Sequence, residues 1–238
     1  MGPFVPFPNS GPVVAIPLGS AASLDGLTGA VRSQRRRSRG RRTIPRMEPT
    51  PDGAEPTLRQ ARAGDRNTID ELMKASTRAL FPAHYTAQQT ASSVKYVAHV
   101  DPLLIEDETY FVIEVGDEIV ACGGWSKRDK LYSGSSDQEG RARLLDPIDE
   151  PARVRAMFVR GDWTRRGLGT RILQACEAAA REAGFRMLAL MATMPGHALY
   201  AHYGFREIER TAITLPDGVL LECVAMEKAV SPQSPPPT

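Results

Sequence analysis

Three cysteines in 238 residues, Cys122, Cys176 and Cys223, are too few and too widely spaced for a disulfide framework. No C-x-x-C and no paired Cys/His spacing offers a zinc site, so they read as reduced core thiols, which suits the cytoplasm. No apolar run approaches the roughly 18 residues that a membrane span requires. Residues 1–46 contain no lysine and a single acid, Asp25, against eight arginines; that segment carries +7, which leaves −5 on the remainder of a chain of net charge +2. No aromatic residue stands among those arginines, so the run can attract phosphate only non-specifically. With 42% hydrophobic and 24% charged residues the whole chain has the composition of an ordinary globular protein, and one domain is the default.

What is present divides into a leader, a domain and a tail. Residues 1–55 are rich in Pro, Gly, Ser and Arg and keep neither helical nor strand periodicity, which predicts a disordered basic extension. Its apolar part precedes the arginines, the reverse of a secretory signal. Three readings stay open for it: sequence upstream of a start at Met47, an Arg-rich organellar transit peptide, or a nucleic-acid-binding arm. Residues 56–229 hold the periodic segments, and 230–238 form a flexible Pro-rich tail.

Within the domain, residues 57–63 alternate weakly, as an edge strand does. Asp65 suits the N-cap of a helix through Ile69, Leu72, Met73 and Leu80 that Pro82 ends. Thr86 suits the cap of a second helix over 86–97, with Val94 and Val97 on one face. Strand-like runs at 109–115 and 118–125 flank Gly116-Asp117, and runs at 207–215 and 219–228 flank Pro216-Asp217-Gly218; both pairs predict hairpins. Turn chemistry over 127–151 reads as a long loop. Between the hairpins stands a strand at 154–159. A helix follows with Leu168, Ile172, Cys176, Ala179, Ala180 and Ala183 inward and Arg171, Glu177 and Arg181 outward, ended by Gly184. A nearly continuous apolar strand at 186–192 comes next, and Pro195 then opens a short helix that ends at Gly204. The order predicts an α+β domain: a mixed, mainly antiparallel sheet flanked by helices.

Residues 154–172 are the part of the chain most suited to chemistry. A β-branched and aromatic strand breaks at Gly161-Asp162, passes through Arg165-Arg166-Gly167-Leu168-Gly169 and enters a helix. Glycines let the backbone approach a ligand, and a helix start offers unpaired N–H groups and a positive dipole end, so such a corner binds phosphate. It is not a P-loop, because no lysine follows the glycines. Nor is it a dinucleotide fingerprint, since Ile172 occupies the third glycine's place.

Val159-x-x-x-Trp163-Thr164-Arg165-Arg166-Gly167-Leu168-Gly169-Thr170 resembles the acetyl-CoA pyrophosphate loop of the GNAT superfamily of N-acetyltransferases. Leu199-Tyr200-Ala201-His202-Tyr203-Gly204-Phe205 resembles that family's second signature, and the element order is similar over 57–228. The resemblance implies a GNAT-like acyl-CoA N-acyltransferase fold with acetyl-CoA as co-substrate, held by Phe158, Val159, Thr164, Arg165, Arg166, Gly167, Leu168, Gly169 and Thr170. Main-chain N–H groups around Phe158 and Val159 would face the thioester carbonyl where the central strand parts from the next. Tyr200 would be the general acid for the departing thiolate, with Tyr203 packed in the core. The acceptor would be a primary amine of a small molecule or peptide, attacking directly; His84 and Tyr85 lie where relatives shape the acceptor pocket. Thr164 stands where the family usually has Gln or Arg.

Many relatives also place a glutamate on the central strand as base. Here that strand offers Arg153 and Arg155, either a solvated stripe or an attraction for an acidic acceptor. Glu150, Asp149 or a water relay are left for the base. No metal is expected, because His197 and His202 stand five apart and diverge on a helix. The rival reading is a non-catalytic acetyl-CoA-binding module; a third assigns function to the arginine leader and nucleic acid. No membrane partner is expected, and a homodimer is compatible with the sequence.

Overall fold

Alternation in two antiparallel hairpins sets the sheet, and a β-α-β unit between them joins the hairpins into one layer. The computed structural model describes residues 14–15, 54–129 and 143–231. Its elements are β1 (Val14–Ala15), β2 (Thr57–Gln60), α1 (Arg66–Leu80), α2 (Ala87–Tyr96), α3 (Pro102–Glu106), β3 (Tyr110–Val115), β4 (Glu118–Ser126), β5 (Ala152–Val159), α4 (Leu168–Glu182), β6 (Met187–Thr193), α5 (Met194–Tyr203), β7 (Arg206–Thr214) and β8 (Leu220–Ala229). The strand order is β1-β7-β8-β6-β5-β4-β3-β2, with every neighbouring pair antiparallel except β5 and β6. This is the mixed, mainly antiparallel sheet that the sequence predicts. β1 falls inside the leader and pairs with Ala212 and Thr211. The other leader residues up to 53, the tail beyond Ser231 and residues 130–142 of the long loop lie outside the described residues.

The hairpin turns are made by Gly116 at φ +59° and Gly218 at φ +81°, conformations that glycine adopts without the Cβ penalty. Tyr110, Val112 and Cys122 then pack on one face with Ile69, Met73 and Leu104. Ile113, Val120 and Ala121 pack on the other face with Leu168, Ile172, Leu173, Cys176 and Ala180 of α4. Helices therefore cover both faces of the central strands. The three thiols are buried and free. Burial pushes Cys122 and Cys223 up to about 12, so they stay protonated and inert.

Several local expectations change in the structure. Asp65 precedes α1 but does not cap it: its φ and ψ of −79° and −14° are already helical, and its carboxylate is taken by Arg59 at 2.6 Å and the Arg62 amide at 2.7 Å. Thr86 does cap α2, with an extended backbone and its hydroxyl accepting from the Gln89 amide at 3.2 Å. The sequence reading passed over α3, a single turn capped by Asp101, whose carboxylate accepts from the Leu103 amide at 3.1 Å, with Pro102 at its first position. Glu177, expected on the outer face of α4, is buried and gathers Lys228 Nζ at 2.5 Å, the Tyr203 hydroxyl at 2.7 Å and the Ser231 amide at 2.7 Å; Ala183 is exposed instead. The long loop begins and ends on the sheet's own pattern, with Arg128 bridged to Leu144 and Leu145 buried.

Candidate active site

The site is built on the second half of β5. That strand pairs with β6 only at Ala152–Leu188 and Arg153–Ala189, after which the two strands share no further rungs. On its other side β5 pairs with β4, with an irregularity between Cys122 and Gly124 that places an extra β5 residue opposite Gly123. Ala156 sits in this bulge at φ +51°. Beyond it the Arg160 amide donates to Val120 O at 2.9 Å, and Phe158 lies opposite Cys122. Strand alternation then turns the amides of Phe158 and Arg160 toward β4 and those of Met157 and Val159 toward the side that β6 has left. Of the two positions where a cleft amide is expected, Phe158 is thus paired with β4, while the Val159 amide, like that of Met157, is on the side that β6 has left. The Val159 carbonyl is held from α1 by the Ser76 hydroxyl at 2.8 Å.

From β5 the chain turns through Gly161, Asp162 and Trp163 and enters α4 at Gly167. Arg165 at φ +64° and Gly167 at φ +79° are both left-handed, which folds the backbone back on itself ahead of the helix. No side chain caps α4, so the amides of its first turn, from Leu168 to Thr170, are left to a ligand or water. The two glycines differ in what requires them. A Cβ on Gly167 would meet nothing within 4 Å, so its positive φ is the requirement, whereas a Cβ on Gly169 would lie 2.7 Å from Leu199 Cδ2. Gly169 is therefore a packing glycine that lets α4 approach α5.

The Arg166 guanidinium lies 4.4 Å from the Trp163 ring centroid, and no carboxylate pairs with Arg165 or Arg166 among the described residues. The Thr164 hydroxyl donates to Gly161 O at 3.0 Å and closes the turn.

That close approach of α4 to α5 brings Tyr200 to the same corner. Its ring packs edge-on to Phe205 at 5.9 Å between centroids and above Gly196, where a Cβ would come within 3.0 Å of it. No hydrogen bond holds its hydroxyl among the described residues, and burial, with Cys176 nearby, pushes the phenol well above its ordinary range. Tyr200 is therefore neutral at ordinary pH. Tyr203 is a strut, its hydroxyl donated to Glu177.

The two acceptor-pocket candidates separate. His84 is exposed at the end of a short turn. Tyr85 is buried with its hydroxyl fully used: it donates to Glu222 O at 2.6 Å and accepts from the Met194 amide at 2.9 Å, tying the first helices to β8 and the start of α5. A cavity of about 540 Å³ lies between α1 and α2, lined by Arg78, Pro82, Tyr85, Thr90, Ala91 and Val94, none of which belongs to β5, α4 or α5.

Neither strand arginine forms a solvated stripe. Arg155 is buried at 3.2 Å from Asp101, and Arg153 is buried at 3.7 Å from Asp129. Both charges are engaged inside the protein, so neither is presented to an acidic acceptor. Glu150 is gripped by both Arg143 nitrogens at 2.7 Å and by the Asp146 amide at 2.8 Å. That grip lowers its carboxyl to about 2 and makes it a poor base. His197 pairs with Glu207 at 2.7 Å rather than with His202. Among the described residues no group of three His, Cys, Asp or Glu side chains is placed to hold a metal, and no helix is long and apolar enough to cross a membrane.

The model of the Acetyltransferase (GNAT) family matches residues 69–205, more than half of the chain, and spans β5, the turn and Tyr200. The chain belongs to the GNAT acetyltransferase family. It is thereby an acyltransferase. Solved structures agree in fold. A GCN5-related N-acetyltransferase from Rhodopseudomonas palustris is 17% identical, with a TM-score of 0.57, covering 79% of this chain and 99% of that one. PaiA N-acetyltransferase from Thermoplasma acidophilum, in complex with coenzyme A, is 13% identical with a TM-score of 0.51, covering 74% and 99%. YncA from Salmonella typhimurium, with its cofactor acetyl-CoA, is 15% identical with a TM-score of 0.50, covering 77% and 99%. No curated protein is a significant match to the sequence.

For this GNAT chain, sequence reasoning missed the residues that shape β5 from behind: Ser76, Tyr110, Gly123 and Gly124. The Gly123-Gly124 pair was the available signal, since two glycines inside an apolar strand mark a bulge or a close approach.

Proposed function

We propose that this GNAT enzyme transfers an acetyl group from acetyl-CoA to a primary amine of a small molecule or peptide, by direct attack on the thioester. The observation that carries the reading is the parting of β5 from β6 after two rungs, which leaves the Met157 and Val159 amides free beside an uncapped helix start. The amides of Leu168, Gly169 and Thr170, with the backbone of Arg165–Gly167 folded toward them, suit the pyrophosphate, and Arg165 and Arg166 add unpaired positive charge. The Met157 and Val159 amides suit the thioester carbonyl; donors so placed stabilise the developing oxyanion, worth about 3–4 kcal/mol each where donors have been removed. The amine nitrogen bonds to the carbonyl carbon, the carbon–sulfur bond breaks, and Tyr200 supplies the proton to the sulfur. The amine's own proton leaves through water, since Glu150 is engaged by Arg143, and a proton from water returns Tyr200 to its neutral form. Three buried free thiols suit a reducing compartment such as the cytoplasm.

Tyr200→Phe tests the reading, with released thiol measured over a panel of primary amines. Acetyl-CoA affinity is expected to stay within about twofold while turnover falls about 10²–10⁴-fold. Unchanged turnover would remove Tyr200 as the acid. A second reading, a module that holds acetyl-CoA without turning it over, is favoured by a β5 that carries no carboxylate and by the capture of nearby Glu150 by Arg143. Acetyl-CoA binding with no thiol release across the whole panel would establish it.

A further inference from the structure

The bulge that aims the cleft amides is held from the far side of the sheet. Ala156 adopts φ +51°, a left-handed conformation that an alanine does not keep unaided. Its carbonyl accepts the hydroxyl of Tyr110 at 2.7 Å. Tyr110 belongs to β3, two strands away, and reaches β5 by lying across β4. Gly124 makes that crossing possible: a Cβ there would stand 2.6 Å from Tyr110 Cδ2 and 2.5 Å from Thr109 O. Gly123, beside it, has the matching role on the other face, where a Cβ would overlap Met157 Sδ and stand 3.1 Å from Ile172 Cγ2. Tyr110 is fully buried, and burial, with Cys122 and Asp70 among the groups nearby, pushes its phenol well above the ordinary range and leaves it neutral. A fully buried tyrosine, two consecutive glycines and a strained alanine thus converge on one peptide, immediately before the two amides that face the cleft.

We infer that Tyr110 is a positioning residue for acetyl transfer: its hydroxyl fixes the Ala156 peptide and thereby the direction of the Met157 and Val159 amides on the thioester carbonyl. The inference rests on the reading of those amides given above, and it assigns the pre-organisation of the carbonyl site to a residue that touches no ligand.

The test uses acetyl-CoA carrying ¹³C at the thioester carbonyl, because hydrogen bonds to that oxygen move its resonance downfield whatever the acceptor amine. With the wild-type full chain, a downfield displacement of the bound carbonyl is expected. Tyr110→Phe should bind acetyl-CoA within about twofold of wild type and lose most of that displacement. Tyr203→Phe, which removes a half-buried phenol hydroxyl bonded to Glu177, should lower the melting temperature and keep the displacement in full. A wild-type displacement in Tyr110→Phe overturns the inference and leaves the amide reading intact. Absence of displacement in the wild type overturns both. Should the single variant be too unstable, it is made together with Ala156→Gly, which removes the cost of the positive φ but not the need for a fixed peptide; loss of displacement is again expected, and retention again overturns the inference.

Discussion

The two halves of β5 face opposite demands. Upstream, Ala152–Arg155 are buried, held by β6 at Ala152 and Arg153 and by β4 from Arg153 to Arg155, and fastened by Arg153 to Asp129 and by Arg155 to Asp101. Downstream, Ala156–Val159 are half-buried, bulged, and paired on one side only. The first half is held by ladders on both flanks and by ion pairs, and the second by a ladder on one flank. The contrast teaches where to look for chemistry in a sheet: at the residues where a regular ladder stops being complete. Here the change occurs within two residues, between a buried arginine and a left-handed alanine.

The largest effect that would sharpen this contrast is expected upstream. Asp101→Ala strands the buried Arg155 charge and strips the cap of α3, and should lower unfolding free energy by about 3–5 kcal/mol. Urea denaturation measures it, and a loss below about 1 kcal/mol would mean that the upstream half is not held by this pair. Next comes the pair of glycines in the turn. Gly169→Ala drives a methyl into Leu199 and should cost about 1–3 kcal/mol as overpacking. Gly167→Ala meets open space and should cost about 1 kcal/mol through its positive φ alone. Thermal melts of the two variants decide the order, and a larger loss for Gly167→Ala would reverse the roles given to the two glycines.

The smallest effect concerns pH, far from the cleft. Burial raises the Glu177 carboxyl, but the Lys228 ammonium, the Ser231 amide and the Tyr203 hydroxyl outweigh it and hold the group at about 2 against an ordinary 4.5. A carboxyl lowered by folding contributes stability that is complete above the unfolded value and lost as pH falls through the folded one. The urea midpoint should therefore drop as pH is lowered from about 5 toward 2, and Glu177→Gln should remove part of that slope. An identical slope in the variant would show that the network contributes nothing to acid stability.

Much of this was legible in the residues themselves, and the omissions follow a pattern. Gly116-Asp117, Pro216-Asp217-Gly218 and Thr86 act through neighbours in sequence, and all three appear in the structure where expected. The turn from Val159 into α4 and the place of Tyr200 on α5 were readable for the same reason. What escaped depends on partners far along the chain. The burial of Arg155 needs Asp101, 54 residues away, and that of Glu177 needs Lys228, 51 residues away. The bulge at Ala156 carries no glycine of its own, because Tyr110, 46 residues earlier, does that work. Asp65 failed as a cap because Arg59 reached it first. A five-residue helix such as α3 shows no periodicity, and only Asp101-Pro102 announced it.

The two-rung contact between β5 and β6 also sets how the fold responds to a ligand. With Ala152–Leu188 and Arg153–Ala189 as the only rungs, the sheet is two antiparallel blankets joined at a short seam. Whatever offers acceptors to the idle amides past that seam acts as substitute rungs, so occupancy of the cleft registers as cohesion of the whole sheet. A ligand at one hundred times its dissociation constant would add about 2.7 kcal/mol to global stability. Melting temperature then serves as a gauge of cleft occupancy, usable with any acyl-CoA before an acceptor is known.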